Sequence, residues 1–258
     1  MDKSSLGDRM KIYEAVPKTY LIRRMPVIVR LDMCHGHTFT RGFERPYDKI
    51  FAASMQDTTL QLCKKIQNCV LGYVQSDEIS LVLCDYRKLD TAAWFDNQLE
   101  KIVSVSASMA ACYFNTAFYR RVIGATVIAN ANNSIPQALG AYVKAYESGA
   151  IFDSRAFNLA CEEVCNYFIW RQQDATRNSI QALAQSLYNH KEIQGLNCNK
   201  LQNKMLTEKD VNWNNLPTVQ RRGACVRKDN EGNWIIDEEI PIFSQDRAYI
   251  EERIVFDS

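Results

Sequence analysis

Two short blocks bring acids to the ends of strands. In Pro26-Val27-Ile28-Val29-Arg30-Leu31-Asp32, Val27, Val29 and Leu31 alternate with Ile28, Arg30 and Asp32, which is the period of a strand. Further along, Asp77-Glu78 precedes a stretch in which Ile79, Leu81 and Leu83 alternate with Ser80 and Val82. Carboxylates at the ends of neighbouring strands can meet. Paired in that way they can hold two Mg²⁺ ions, which clamp the attacking and leaving oxygens of phosphoryl transfer. On composition alone, Asp32, Asp77 and Glu78 read more simply as solvated loop acids.

Acids can meet only if a sheet positions them and helices pack on it. A helix is predicted over about 48 to 68, where Phe51, Met55, Leu62, Ile66 and Cys69 form one buried face. The strand pair around Asp77 follows, then a long helix over about 92 to 118. The middle of that helix is small (Ser104, Ser106, Ala107, Ser108, Ala110, Ala111), which lets a sheet or a second subunit approach closely. Residues 128–148 read as irregular, broken by Asn130, Asn132, Asn133 and Pro136, and a strand follows over 151–157. From Cys161 to Tyr188 a helical pattern is interrupted near Gln172. Two helices meeting at an angle are expected there, 163–171 and 174–188, with Asp174 as a cap. The tail carries a short helix from Asn199, a polar stretch at 212–215 and a hairpin turning at Asp229-Asn230-Glu231-Gly232. This order predicts an α+β fold, an antiparallel sheet with helices on one face, in a single catalytic domain. Its core spans about 20–190 and a helix/hairpin extension spans about 191–258.

With 258 residues, 47% of them hydrophobic, the chain can bury a sizeable core. The first residues lack the apolar stretch of a secretory signal and no later run is long enough to span a bilayer, so a cytoplasmic protein without a membrane partner is expected. Nine cysteines with no Cys-x-x-Cys pair read as reduced thiols, and Cys63, Cys112, Cys161 and Cys165 as small core residues. The spacing in Cys34-His35-Gly36-His37 fits no structural zinc pattern. A net charge of +1 supplies no global field for nucleic acid. Any such surface must be local, at Arg23-Arg24, Arg120-Arg121, Arg221-Arg222 or Arg227-Lys228, each of which also reads as an ordinary solvated pair.

The segments Arg30-Leu31-Asp32, His37-Thr38-Phe39, Arg45-Pro46-Tyr47-Asp48, Gln75-Ser76-Asp77-Glu78, Phe152-Asp153-Ser154-Arg155 and Trp170-Arg171-Gln172-Gln173-Asp174 occur in this order. The series resembles the tRNA(His) guanylyltransferase family, whose members add nucleotides to RNA 5′ ends in the 3′-to-5′ direction, over about Arg23 to Lys228. The resemblance implies a polymerase-like palm and a Mg²⁺-dependent nucleotidyltransferase. Such an enzyme activates a tRNA 5′ phosphate with ATP or GTP, and the 3′ hydroxyl of an incoming nucleoside triphosphate then attacks it. A homo-oligomer, a tetramer by the family's habit, is also implied. In the same way Asp32, the backbone carbonyl of Met33 and Asp77 are implied to hold two Mg²⁺ ions, with Glu78 in support. Arg30, His37, Arg45 and Ser76 would lie at the nucleotide, and Arg155, Arg171, Gln172, Asp174, Arg177 and Asn178 at the RNA. Two alternatives share these residues: a palm-type nucleotide cyclase acting without RNA, and a tRNA-binding protein that has lost catalysis.

The chain departs from the family twice. Where the usual run is Asp-Gly-Arg-x-Phe-His-x-Phe, it has Asp32-Met33-Cys34-His35-Gly36-His37-Thr38-Phe39. Methionine disfavours the positive φ that glycine tolerates, so Gly36 is expected to absorb the strain. Where eukaryotic members have His-Ile-Asn-Asn, it has Thr176-Arg177-Asn178-Ser179. That run resembles the bacterial, archaeal and phage guanylyltransferase-like branch, which favours template-directed repair of tRNA 5′ ends.

Overall fold

A computed structural model describes residues 5–131 and 137–255. The chain runs α1 (Leu6–Ala15), β1 (Val27–Met33), α2 (Gly36–Phe39), α3 (Lys49–Lys65), β2 (Cys69–Gln75), β3 (Glu78–Leu83), α4 (Leu99–Ala131) and α5 (Leu139–Ser148). It continues through β4 (Phe152–Asn158), α6 (Cys161–Leu187), α7 (His190–Ile193), α8 (Cys198–Lys209), α9 (Thr218–Arg222), β5 (Ala224–Lys228), β6 (Trp234–Asp237) and α10 (Ala248–Glu251).

The strands form one antiparallel sheet in the order β4-β1-β3-β2-β5-β6. Their alternation sorts side chains to two faces. Val27, Val29, Leu31, Ile79 and Leu81 turn toward α3 and α4, packing with Met55, Leu62, Ile102 and Phe114. Ile28, Val82 and Tyr73 turn the other way, onto Val164, Cys165 and Phe168 of α6 and onto Phe243 and Ile250. Helices therefore cover both faces rather than the one expected, and β2 and β3 are buried along their whole length. The residues after 191 include the β5–β6 hairpin, which adds to the edge of this sheet where β5 pairs with β2. A third cluster joins the far half of α6 to α8 through Ile180, Leu183, Leu201 and Met205.

Several expected elements come out differently. α6 is one helix, unbroken at Gln172, so Asp174 lies mid-helix and caps nothing. Its polar residues do not interrupt it because they are satisfied inside the protein: Gln172 donates to Pro241 O at 2.9 Å and accepts from Phe243 N at 2.9 Å. Residues 128–131 continue α4 and 139–148 form α5, while Asn132, Asn133 and Pro136 lie outside the described residues. The element that approaches the small side of α4 is the sheet, with Ser106 bonded to Ser154 of β4 at 2.8 Å. Cys63 and Cys165 are buried as expected, but Cys112 is exposed. Among the described residues, no helix is long and apolar enough to cross a membrane.

Phe114 sits at the centre of the packing that supports the acidic end of the sheet. Its ring lies 5.6 Å from Phe39 of α2, 5.7 Å from Phe51 of α3 and 5.8 Å from Phe152 of β4, and it is fully buried. Phe114→Ala is expected to destabilise the protein by about 3–5 kcal/mol, and Phe114→Leu by less. Urea unfolding checks this. A loss below about 1 kcal/mol, the scale of an ordinary surface change, would contradict it.

Candidate active site

Strand register brings the acids together. In the β1–β3 pair Asp32 stands opposite Glu78, and in the β1–β4 pair it stands opposite Asp153. Directly opposed residues share a face, so Asp32, Glu78 and Asp153 lie on the α6 side. Ser76 and Asp77 form the two-residue turn between β2 and β3, and Ser76 carries the positive φ (49°) that this turn demands. Asp77 is fixed to the end of β1 because its carbonyl accepts from Met33 N at 3.1 Å.

The loop after Asp32 solves its strain differently from expectation. His35, not Gly36, adopts the left-handed conformation (φ 57°, ψ 34°). Its carbonyl accepts from Thr38 N and Phe39 N, at 2.8 and 3.0 Å, which starts α2. Met33 ends β1 with its side chain buried and at no positive φ. Gly36 serves another purpose. A Cβ there would stand 3.0 Å from Asp77 Cγ and overlap Oδ2, so the absent side chain is the space the Asp77 carboxylate occupies.

The acids divide sharply by partner. Glu78 is buried between two arginines: Arg30 Nη2 donates to its Oε2 at 2.7 Å, and Arg171 Nε lies 3.3 Å from its Oε1. The second contact is an ion pair without hydrogen-bond geometry, so Glu78 Oε1 and Arg171 Nε each lack a hydrogen-bond partner. Burial pushes the Glu78 carboxyl up, against the pull of Arg171 and Arg30. Arg171 also bonds Asp174 at 2.6 Å, and Asp174 pairs with Arg177. A line of alternating charge thus runs from the sheet to the surface of α6. Asp32 and Asp77, by contrast, have no salt-bridge partner among the described residues. Burial first, and Asp77 second, raise the Asp32 carboxyl above its usual value; Asp153 adds to the effect, and Arg30 and Arg155 oppose it without cancelling it.

Two crowded carboxylates without a cation suit a divalent metal. Among the described residues no three His, Cys, Asp or Glu side chains converge as a metal cluster. That sparse donor set fits Mg²⁺, which keeps waters and phosphate oxygens in its shell and takes only one or two protein carboxylates. The residues that could hold it are Asp32, Asp77 and the Met33 carbonyl. Beyond Met33, a cleft of about 730 Å³ between α2 and α5 is lined by Cys34, His35, Thr38, Arg41 and Lys144, among others, and by none of the acids.

The other expected site residues separate. His37 and Arg45 are exposed. The loop carrying Arg45 is tethered by Asp48, which accepts from Phe51 N, Glu44 N and Tyr142 Oη, and by Tyr47, bonded to Ser179 of α6. Arg30 is engaged with Glu78. Arg155, Arg177 and Asn178 are exposed, whereas Arg171 and Gln172 are buried, at 3% and 5% exposure. Arg171 is tied to Glu78 and Asp174, and Gln172 to Pro241 and Phe243; Gln172 also lines a cleft between α6 and α9. Sequence reading overlooked Asp153 as a member of the acidic group. The signal was available, since Asp153 and Arg155 alternate on one face of a strand.

An uncompensated acid has a measurable signature. The raised Asp32 carboxyl contributes stability that is full below its ordinary value of 3.8 and is lost as pH rises through the raised value. In EDTA at pH 7, Asp32→Asn should therefore melt higher than the parent protein, by ~2–4 °C. The difference should vanish as the pH approaches 4. Equal melting temperatures at pH 7 would show that the charge is compensated. Gly36→Ala should fold normally but displace the Asp77 carboxylate, so the rise in melting temperature that Mg²⁺ gives the parent should shrink or disappear. An undiminished rise would separate Gly36 from the metal site.

Comparison with known proteins places this geometry. Residues 7–160 match the family model described as tRNAHis guanylyltransferase (Thg1). An uncharacterized protein of Acanthamoeba polyphaga mimivirus is 29% identical over 97% of this chain and 88% of its own. A probable tRNA(His) guanylyltransferase of Dictyostelium discoideum is 24% identical, over 81% of this chain and 77% of its own. A bacterial tRNA(His) guanylyltransferase (Thg1)-like protein solved in complex with ATP is 44% identical, covers 98% of this chain and all of its own, and superposes with a TM-score of 0.82. One in complex with GTP is 38% identical over the same shares, with a TM-score of 0.74. The chain belongs to the tRNAHis guanylyltransferase family and is a nucleotidyltransferase of the Thg1-like kind.

Proposed function

We propose that this enzyme adds nucleotides to the 5′ end of tRNA in the 3′-to-5′ direction, with base pairing choosing the nucleotide. The observation that carries this reading is the Asp32–Asp77 pair, left without a salt-bridge partner among the described residues at the end of the sheet. Asp32, Asp77 and the Met33 carbonyl hold two Mg²⁺ ions. When bound, the ions neutralise the triphosphate and the 5′ phosphate, so that one anion can approach another.

The chain's own residues do the rest. The cleft beside Cys34 and His35 receives the nucleoside triphosphate, the ligand class that the bacterial relatives bind, with Arg41 and Lys144 at its rim. Arg45 brings a further guanidinium, whose planar fork matches phosphate oxygens, and His37 and Ser76 lie on the two loops that flank the acids. Glu78 touches no substrate. It is a positioning residue that ties β3 to α6 through Arg171. Arg155, Arg177 and Asn178 present polar groups to the RNA from β4 and α6. The exposed apolar residues Tyr119, Ile123 and Val143 on α4 and α5 suit a homo-oligomer, in keeping with the family's tetramers.

The test uses tRNAs lacking the first 5′ nucleotide, each of the four nucleoside triphosphates, and Mg²⁺. Addition should follow the opposing acceptor-stem base when that base is changed from C to A, G and U. Asp32→Ala and Asp77→Ala should each lower the rate by at least about 10³-fold, the scale of losing preorganised charge stabilisation. Guanylate addition that ignores the template would restore non-templated activity on histidine tRNA. A cyclic nucleotide formed without RNA would identify a cyclase.

A further inference from the structure

On the β2 side of the acidic end, a second cleft of about 410 Å³ opens between α6 and the segment leading into β5. Gln173 and Thr176 of α6, Trp213, and Arg221 and Arg222 of α9 line it. The two arginines are adjacent in sequence and half-buried. Among the described residues neither makes a salt bridge. Arg221 Nε is buried without a hydrogen-bond partner. Burial, with Arg221 beside it, lowers the Arg222 pKa, opposed by Glu239. That acid is occupied, since Glu239 Oε2 accepts from Thr218 Oγ1 at 2.6 Å. Ordinary surface arginines spread apart into water. Two held together and partly dried are costly unless an anion completes them.

The pair is also held rigidly. Gly223 adopts φ 83° and ψ −168°, a region open essentially only to glycine. A Cβ there would come within 2.5 Å of Val74 O. This lets the arginine segment press against β2, where Tyr73 Oη donates to Arg222 O at 2.6 Å. Gly223 therefore anchors the pair beside Val74 and Gln75, which lead directly into the Ser76–Asp77 turn. Trp213 is fixed by its own bond, Nε1 to Ser179 Oγ at 2.9 Å, and Arg221 Cζ lies 5.8 Å from its ring. An aromatic face, a guanidinium pair and neutral polar groups are the components that hold a nucleic-acid strand.

The geometry points to Arg221 and Arg222 as a second anchor for the RNA, gripping a backbone phosphate away from the reacting 5′ end. This rests on the RNA-directed reading above. A phosphodiester fits better than a free nucleotide because the cleft lies on α6 next to the exposed Arg177 and Asn178, a track rather than a closed pocket. The guanidinium forks give bidentate contacts to phosphate oxygens.

The experiment measures binding of a 5′-truncated, 5′-phosphorylated acceptor-stem hairpin to the full chain by fluorescence anisotropy, across a range of KCl concentrations. The parent is compared with Arg221→Ala, Arg222→Ala, the double variant and Arg222→Lys. The double variant should bind at least about tenfold more weakly, and its salt slope should fall by about 1 to 2, since each lost phosphate contact removes roughly 0.9 from the slope on a duplex. Arg222→Lys should keep most of the slope. Arg221→Ala and Arg222→Lys report even if the double variant melts early. An unchanged slope and affinity in folded variants would overturn the assignment. So would a loss of ATP affinity, measured calorimetrically without RNA, that left the RNA slope intact, because the anion would then be the nucleotide. If the parent binds no RNA, the proposed function falls together with the anchor. If the parent binds and the variants match it, only the anchor falls.

Discussion

Glu78 is the buried acid of the central group, held between two arginines, and the arrangement of the site depends on that neutralisation. A carboxylate buried at the first residue of β3 must find cations, and it finds Arg30 on the neighbouring strand and Arg171 on α6. The two arginines fasten the helix to the sheet directly beside Asp32. Arg30 and Arg171 are thereby committed to Glu78. Asp32 and Asp77, one step further out, are left to an external positive charge.

Two kinds of charge handling therefore sit side by side. The inner layer, Arg30–Glu78–Arg171–Asp174–Arg177, is closed, with each charge answered by a neighbour. The outer layer is open, with acids at the end of the sheet and unanswered arginines at α9. Negative charge gathers where a metal would bridge to phosphate, and positive charge gathers where phosphate alone would dock. This separation is sharper than the net charge of +1 conveys.

The sequence was most readable where strand period governed. Alternation alone shows that Asp32 shares a side with Arg30, and motif order brought Asp77 and Glu78 to the same end. It was least readable where satisfaction of a side chain depended on residues distant in the chain. The run Arg171-Gln172-Gln173-Asp174 looks like a surface break because its residues are polar. It is continuous helix because Glu78, Pro241 and Phe243 answer those groups from elsewhere. The same blindness hid the internal ties of Arg171 and Gln172, which read as RNA contacts and are buried in the fold. Strain was misplaced locally: His35 takes the positive φ, while Gly36 is needed for the space that the Asp77 carboxylate fills.

That shared space makes two distant parts of the chain depend on each other. The relatives this chain resembles usually carry phenylalanine at the position of Gly36, where here the Asp77 carboxylate stands. The loop and the turn consequently cannot be exchanged one at a time. Any side chain at position 36 of this protein would press on the Asp77 carboxylate, so the length of the residue in the loop sets where an acid on the far turn can stand.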